Sequence, residues 1–167
     1  MLQPLVRRSW APKGETPIQR QWERHDRLSV ISAITLAPRR RRLGLYWRTH
    51  DRNIRGEDVV GFLRSVRRSL RRKMVVILDR GNVHRAAVVG NYVQRHADSI
   101  HLEELPAYAP DLNPAEQVWN HTKYADLPNL APDDLKELTL LVNSSIESIR
   151  GQSHLIRSFF QTAQLLL

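Results

Sequence analysis

The chain has 167 residues, 41% of them hydrophobic and four of them Trp, which suits one folded domain and leaves too little for two sizeable cores. It contains no Cys, which excludes disulfides, zinc ribbons and thiol catalysis, and its longest apolar runs, such as Met74–Leu78, are strand-sized and cannot span a bilayer. The net charge of +9, from 26 Lys+Arg against 17 Asp+Glu, is concentrated in Arg39–Arg42 and in 64–73; it points to a polyanionic partner, DNA or RNA, with a merely solvated basic surface as the alternative.

In chain order, "MLQPLVRRSWAPKGE" has no apolar core of a secretory signal, so a cytoplasmic protein is expected. "WAPKGETPIQRQWERHDRLSVISAITLA" reads as a turn punctuated by Gly and Pro between two extended segments. The second of these, Leu28 to Leu36, is rich in Val, Ile and Thr. The Arg run and Gly44 predict a hairpin into a third extended segment, "LGLYWRT". From Gly56 the period changes: Val59, Leu63, Val66 and Leu70 share one face, and Arg64, Arg67, Arg68 and Arg71 occupy the others, as in an amphipathic helix with a basic outer side.

"MVVIL" at 74–78 predicts a short strand inside the sheet, all of its side chains being apolar, with Asp79 at its carboxyl end. A helix over 84–97, a strand in "IHLEELPA" and a helix opening at Asn113 follow. Pro128 and Pro132 bracket a loop, Asp133 or Asp134 starts a long C-terminal helix, and Gly151 is placed to break it. Hairpin strands followed by strand–helix–strand–helix imply one α/β domain with a mixed sheet flanked by helices.

Two carboxylates stand out in this order. Asp79 lies at the carboxyl end of a strand, where open α/β sheets place ligands, although it also suits the capping of a turn. Glu116 follows one helix and one further strand, and such a connection returns the chain beside the first strand. In "DLNPAEQVWN", Asn113 suits an N-cap, Pro114 the first helical position and Glu116 the third, so Glu116 can close a capping box. Its other role is that of a metal-binding carboxylate. Two carboxylates about 4 Å apart repel by roughly 4 kcal/mol at an effective dielectric near 20. A hard cation such as Mg²⁺ between them removes that cost and suits phosphoryl transfer.

"VVILDRGNVHRAAVV" and "HLEELPAYAPDLNPAEQVWN" resemble the catalytic domain of DDE transposases of bacterial insertion sequences in the mariner superfamily. "RRSWAPKGETPI" and "RLSVISAIT" are similar to the segments around that family's first and second catalytic-domain strands, so the resemblance covers Arg7 to Asn129. It implies an RNase H-like fold, two Mg²⁺ (or Mn²⁺) ions, and Asp79 and Glu116 as the second and third acidic residues of a triad. It implies transposon-end and target DNA as partners, with Arg39, Arg40, Arg41, Arg42, Arg64, Arg67, Arg68 and Arg80 as candidate backbone contacts. Arg80 also suits an ordinary surface position. By the same resemblance His84 and Asn113 support the carboxylates rather than bind metal.

The chain departs from the family pattern at the first Asp. No acidic residue precedes Glu15, and neither Asp26 nor Asp51 occupies the matching position. The expectation is a partial catalytic domain over residues 1–167, N-terminally truncated or the second half of a split reading frame. It lacks the family's helix-turn-helix and the first catalytic strand, and is inactive alone. Its partner would be a second copy or the missing half, and its place in the cell the nucleoid. Two alternatives are a non-catalytic basic remnant that pairs with or interferes with a full-length transposase, and an unrelated nucleic-acid-binding protein in which both carboxylates are caps. Trp10, Trp47 and Trp119 are assigned to the core rather than to base stacking.

Overall fold

The computed structural model describes residues 11–15, 27–107, 109–129 and 132–165. The segment ahead of residue 27 that was expected to be extended, together with Trp10 and Asp26, lies outside them. Strands β1 (Ser29–Leu36) and β2 (Leu43–His50) form an antiparallel hairpin with Ser29 opposite His50 and Leu36 opposite Leu43. Arg40 takes a left-handed conformation (φ 54°) in the connecting turn, which closes through an Arg40 N–H to Ala37 C=O bond of 2.7 Å.

Helix α1 (Gly56–Leu70) buries Val59, Leu63 and Val66, as its spacing predicts, together with Phe62, while Leu70 is half-buried. Its first turn is tied down by Asp58, which accepts from the Arg55 N–H at 2.8 Å and from two Arg52 nitrogens at 2.7 and 2.8 Å. The Arg52 guanidinium, and next the Arg55 N–H, hold the Asp58 carboxyl well below the usual carboxylate range. Strand β3 (Met74–Leu78), helix α2 (Ala87–Gln94) and strand β4 (Ile100–Glu104) make a βαβ unit whose strands pair in parallel, Met74 opposite Ile100 and Leu78 opposite Glu104. Gly56 lets the start of α1 approach this unit, since a Cβ there would lie 2.7 Å from Ala86 and Val88.

Helix α2 begins three residues later than expected. The N–H groups of His84 and Arg85 both bond back to the Gly81 carbonyl, so 81–85 is spent in a turn before the helix starts. Helices α3 (Pro114–His121), α4 (Leu135–Gly151) and α5 (Ser153–Thr162) complete the fold, with a π-helical turn at Thr122–Asp126 after α3. Asp134 caps α4 by accepting from the Glu137 N–H at 2.7 Å, and only Gln152 separates α4 from α5.

The hairpin divides two cores, because alternate residues of a strand face opposite sides. On one side Leu45 packs with Val118, Val142, Ile146, Ile149, Ile156 and Phe159 from α3, α4 and α5. On the other, Ile31 packs with Val59, Leu63, Val66, Val89 and Ile100 from α1, α2 and β4. Trp47 and Trp119 pack against the first core, and the Trp47 indole N–H donates to Asn143 at 2.8 Å. No helix of the described residues is long and apolar enough to cross a membrane.

Strand pairing is mixed, as expected, but is divided between two ladders, β1–β2 and β3–β4. The expectation that β3 lies wholly inside a sheet is corrected. Met74 and Val76 pack toward α1 and α2, whereas Val75 and Ile77 are 64% and 61% exposed. Among the described residues β3 pairs only with β4.

Ile146 is fully buried where α4 meets the hairpin. Ile146→Ala should lower the unfolding free energy by about 2–5 kcal/mol in a urea titration. Because the Asp58 pKa is depressed on folding, its stabilisation is complete above the unfolded carboxylate pKa and fades as pH falls. The stability gap between the natural chain and Asp58→Asn should therefore be constant from pH 7 to about 5 and close below about pH 4.

Candidate active site

The βαβ unit ends β3 at Leu78, so Asp79 emerges at the carboxyl edge of the parallel pair. Its Oδ1 accepts from the Gly81 N–H at 2.8 Å and lies 3.5 Å from His84 Nε2. A Cβ at Gly81 would sit 2.9 Å from that same oxygen, so the carboxylate can fold over this position only because it is glycine. Oδ2 has no bonding partner among the described residues. His84 thus lies beside Asp79, and its Nδ1 is buried without a hydrogen bond there.

After β4 the chain returns through a short 3₁₀ turn, Pro110–Leu112, into α3. Asn113 caps α3 by accepting from the Ala115 N–H at 3.1 Å, with Pro114 in the first helical position. The return half of the capping box does not form. The Asn113 N–H donates to the Pro110 carbonyl at 2.9 Å, so the group Glu116 would have bonded is already taken. The Glu116 side chain is left half-buried, with no hydrogen-bond partner among the described residues. Burial, and next the negative charge of Asp79, push its pKa above the usual carboxylate value.

The two carboxylates are therefore brought into electrostatic contact, and each keeps oxygen for a ligand. Oxygen donors of this kind suit a hard cation, which takes one or two carboxylates and fills its remaining positions with water and phosphate. Among the described residues no group of three or more His, Asp or Glu converges to hold a metal. Asp51 is exposed in the loop after β2.

The basic residues are less uniform than their runs suggest. Arg39, Arg40, Arg41 and Arg42 are exposed at the hairpin tip, which is tied to α5 by Arg157 donating to the Arg40 carbonyl at 3.2 Å. On α1, Arg64 lies over the Tyr92 ring at 5.8 Å and Arg67 donates to the Ser99 hydroxyl at 3.4 Å, so both help seat α1. Arg68 is exposed, and Arg80 pairs with Glu104 at 3.3 Å on the surface. The first Arg run thus sits at the hairpin tip and the second on α1.

A cavity of about 620 Å³ opens between α3, the π-turn and α5, lined in part by Gln117, Asn120, His121, Tyr124 and Phe159. The turn is anchored to α4 by Ser145, which donates to Asp126 Oδ2 at 2.7 Å and shares a 2.9 Å bond with Thr122. Asp126 Oδ1 also lies 3.4 Å from His121 Nε2. Sequence reasoning missed this cavity. The polar residues at 117, 120, 121 and 124 do share one helical face, but α5, which closes it, is distant in sequence.

A family model described as DDE superfamily endonuclease matches residues 1–139. No curated protein matches the chain by sequence. Among solved structures, the chain is similar to the Mos1 strand transfer complex, with a TM-score of 0.57, 14% identity, and 98% of this chain and 50% of that chain covered. It is similar to the Mos1 transposase paired-end complex with left transposon end, at 0.62, 12%, 98% and 48%. It is also similar to the Mos1 mariner paired-end complex with Mn, at 0.63, 11%, 98% and 50%. The chain spans about half the length of these proteins, and at such identities the likeness is one of fold: a mixed α/β, RNase H-like architecture.

Glu116→Gln removes a charge that is costly beside Asp79 in the absence of metal. It should raise the melting temperature by roughly 2 °C at pH 7 in chelator. The raised Glu116 pKa means the cost applies when the group is ionised, so the gain should vanish as pH falls toward 4. An unchanged melting temperature at pH 7 would show that neither burial nor Asp79 makes the ionised Glu116 costly.

Proposed function

The chain belongs to the DDE superfamily of endonucleases, and on that premise we propose that it is catalytic-domain sequence of an insertion-sequence transposase, in which Asp79 and Glu116 hold divalent metal against DNA. The observation that carries this reading is the Glu116 carboxylate, half-buried, facing the charge of Asp79 and without a hydrogen bond among the described residues. The donor set fits Mg²⁺ or Mn²⁺. When bound, such ions supply activation of water or a DNA 3′-hydroxyl for attack at phosphorus. The Mos1 neighbours include a complex with a transposon end and one with Mn, which supports the same partner and metal class here.

The residues of the chain divide the remaining work. Asp79 is held by the Gly81 N–H and keeps Oδ2 for the metal. Asn113 and Pro114 set the first turn from which Glu116 projects. The exposed Arg39, Arg41, Arg42 and Arg68 bind phosphates without reading sequence, while Arg64, Arg67 and Arg80 are engaged within the protein. A DNA substrate of this kind implies a cytoplasmic, nucleoid-associated protein that works as a dimer or with a complementary segment.

One observation favours a narrower role for these residues in isolation. No third carboxylate joins Asp79 and Glu116 among the described residues. The division of the described strands into two ladders supports a further strand joining them in the complete catalytic unit. That strand would carry the first Asp. On this account the isolated chain binds DNA and metal but does not cleave.

Mn²⁺ titration followed by electron paramagnetic resonance tests the site. The natural chain should bind Mn²⁺, and Asp79→Ala or Glu116→Ala should weaken binding at least about tenfold. DNA affinity should fall steeply with salt, and plasmid DNA should remain unnicked. Mn²⁺ affinity indifferent to both substitutions would overturn the metal site, and metal-dependent nicking lost in Asp79→Ala would overturn the inactivity of the isolated chain.

A further inference from the structure

We infer that the cavity between α3, the π-turn and α5 is a subsite for an unstacked nucleobase of the DNA strand whose phosphate lies at Asp79 and Glu116. The inference rests on the polynucleotide reading above and adds to it a second point of contact on the same strand.

Position is the first support. Asn120 lies one helical turn after Glu116 on the same face of α3, about 6 Å along the axis at 1.5 Å per residue. A nucleotide anchored by its phosphate at the carboxylates therefore has its base within reach of the cavity mouth. At about 620 Å³ the space admits a base with room for its sugar.

The chemistry of the lining is the second support. Among the described residues no Lys, Arg, Asp or Glu lines the cavity, which disfavours a phosphate or a charged peptide. Three of the lining residues carry rings: His121, whose ring lies 6.1 Å from that of the largely buried Phe159, and Tyr124, which has the Lys123 ammonium over its ring at 5.3 Å. Gln117 and Asn120 add side-chain amides, groups that both donate and accept, 3.5 Å from one another. Rings and amides together suit a neutral, planar ligand bearing hydrogen-bonding edges, which describes a nucleobase.

The π-turn is the third. It is the single departure from α-helical spacing between α3 and the following loop, and it is fixed from behind by the bonds of Ser145 to Thr122 and Asp126. That anchoring holds His121 and Tyr124 at the cavity wall. Such π-turns recur at functional sites.

Two single-stranded probes of equal length and charge separate base from backbone: oligothymidylate, and the same backbone with every base removed. In Mg²⁺, the chain should bind oligothymidylate about tenfold more tightly than the abasic strand. Asn120→Ala, at an exposed position, should reduce that ratio, and Thr162→Trp, which fills the mouth, should abolish it. Both variants should bind the abasic strand as the natural chain does. Equal affinity for the two probes, or a ratio untouched by both variants, would overturn the subsite while leaving the carboxylate and phosphate reading intact. Failure of the chain to bind either probe would overturn both.

Discussion

The site depends on two like charges being held at one edge of the molecule. Asp79 leaves the end of β3 and Glu116 leaves the first turn of α3, and the fold sets Glu116 within reach of the charge of Asp79. Burial and mutual repulsion make the ionised pair costly, and the protein relieves little of that cost internally. The Gly81 N–H supports one oxygen of Asp79, while Glu116 has no bond among the described residues. An arrangement that disfavours itself when empty favours a cation when one is present.

Rigid local structure is what maintains the strain. The parallel pairing of β3 and β4 fixes where Asp79 emerges, and the close approach at Gly81 fixes how its carboxylate lies. Across the edge, the Asn113 cap and Pro114 fix the start of α3, and Val118 and Trp119 seat the helix against the core shared with α4 and α5. The same helix runs on into the π-turn and the cavity beside it. One short segment, from Pro110 to Asp126, thus carries the Glu116 carboxylate and also supplies Gln117, Asn120, His121 and Tyr124 to the cavity beside α5.

Features governed by neighbouring residues were legible in the sequence. The basic amphipathic α1, the Asp134 cap, the break after Gly151 and the Asn113–Pro114 helix start follow from side-chain chemistry within a turn or two. Features governed by distant partners were not. An all-apolar "MVVIL" shows no alternation, so its exposed face at Val75 and Ile77 became visible only once its pairing was known. The capping box at Glu116 fails because the Pro110 carbonyl takes the N–H it needs, a competition that spacing alone does not reveal. Arg64 and Arg67, counted with the free basic surface, turn out to be engaged by Tyr92 and Ser99.

The most direct test of the central claim is anomalous diffraction from crystals of the chain grown with Mn²⁺. The account predicts a manganese peak bonded to oxygens of both Asp79 and Glu116, about 2.0–2.3 Å from each. A peak elsewhere on the molecule, or a structure in which the Glu116 carboxylate turns back to close its own helix cap while Mn²⁺ is present, would contradict it.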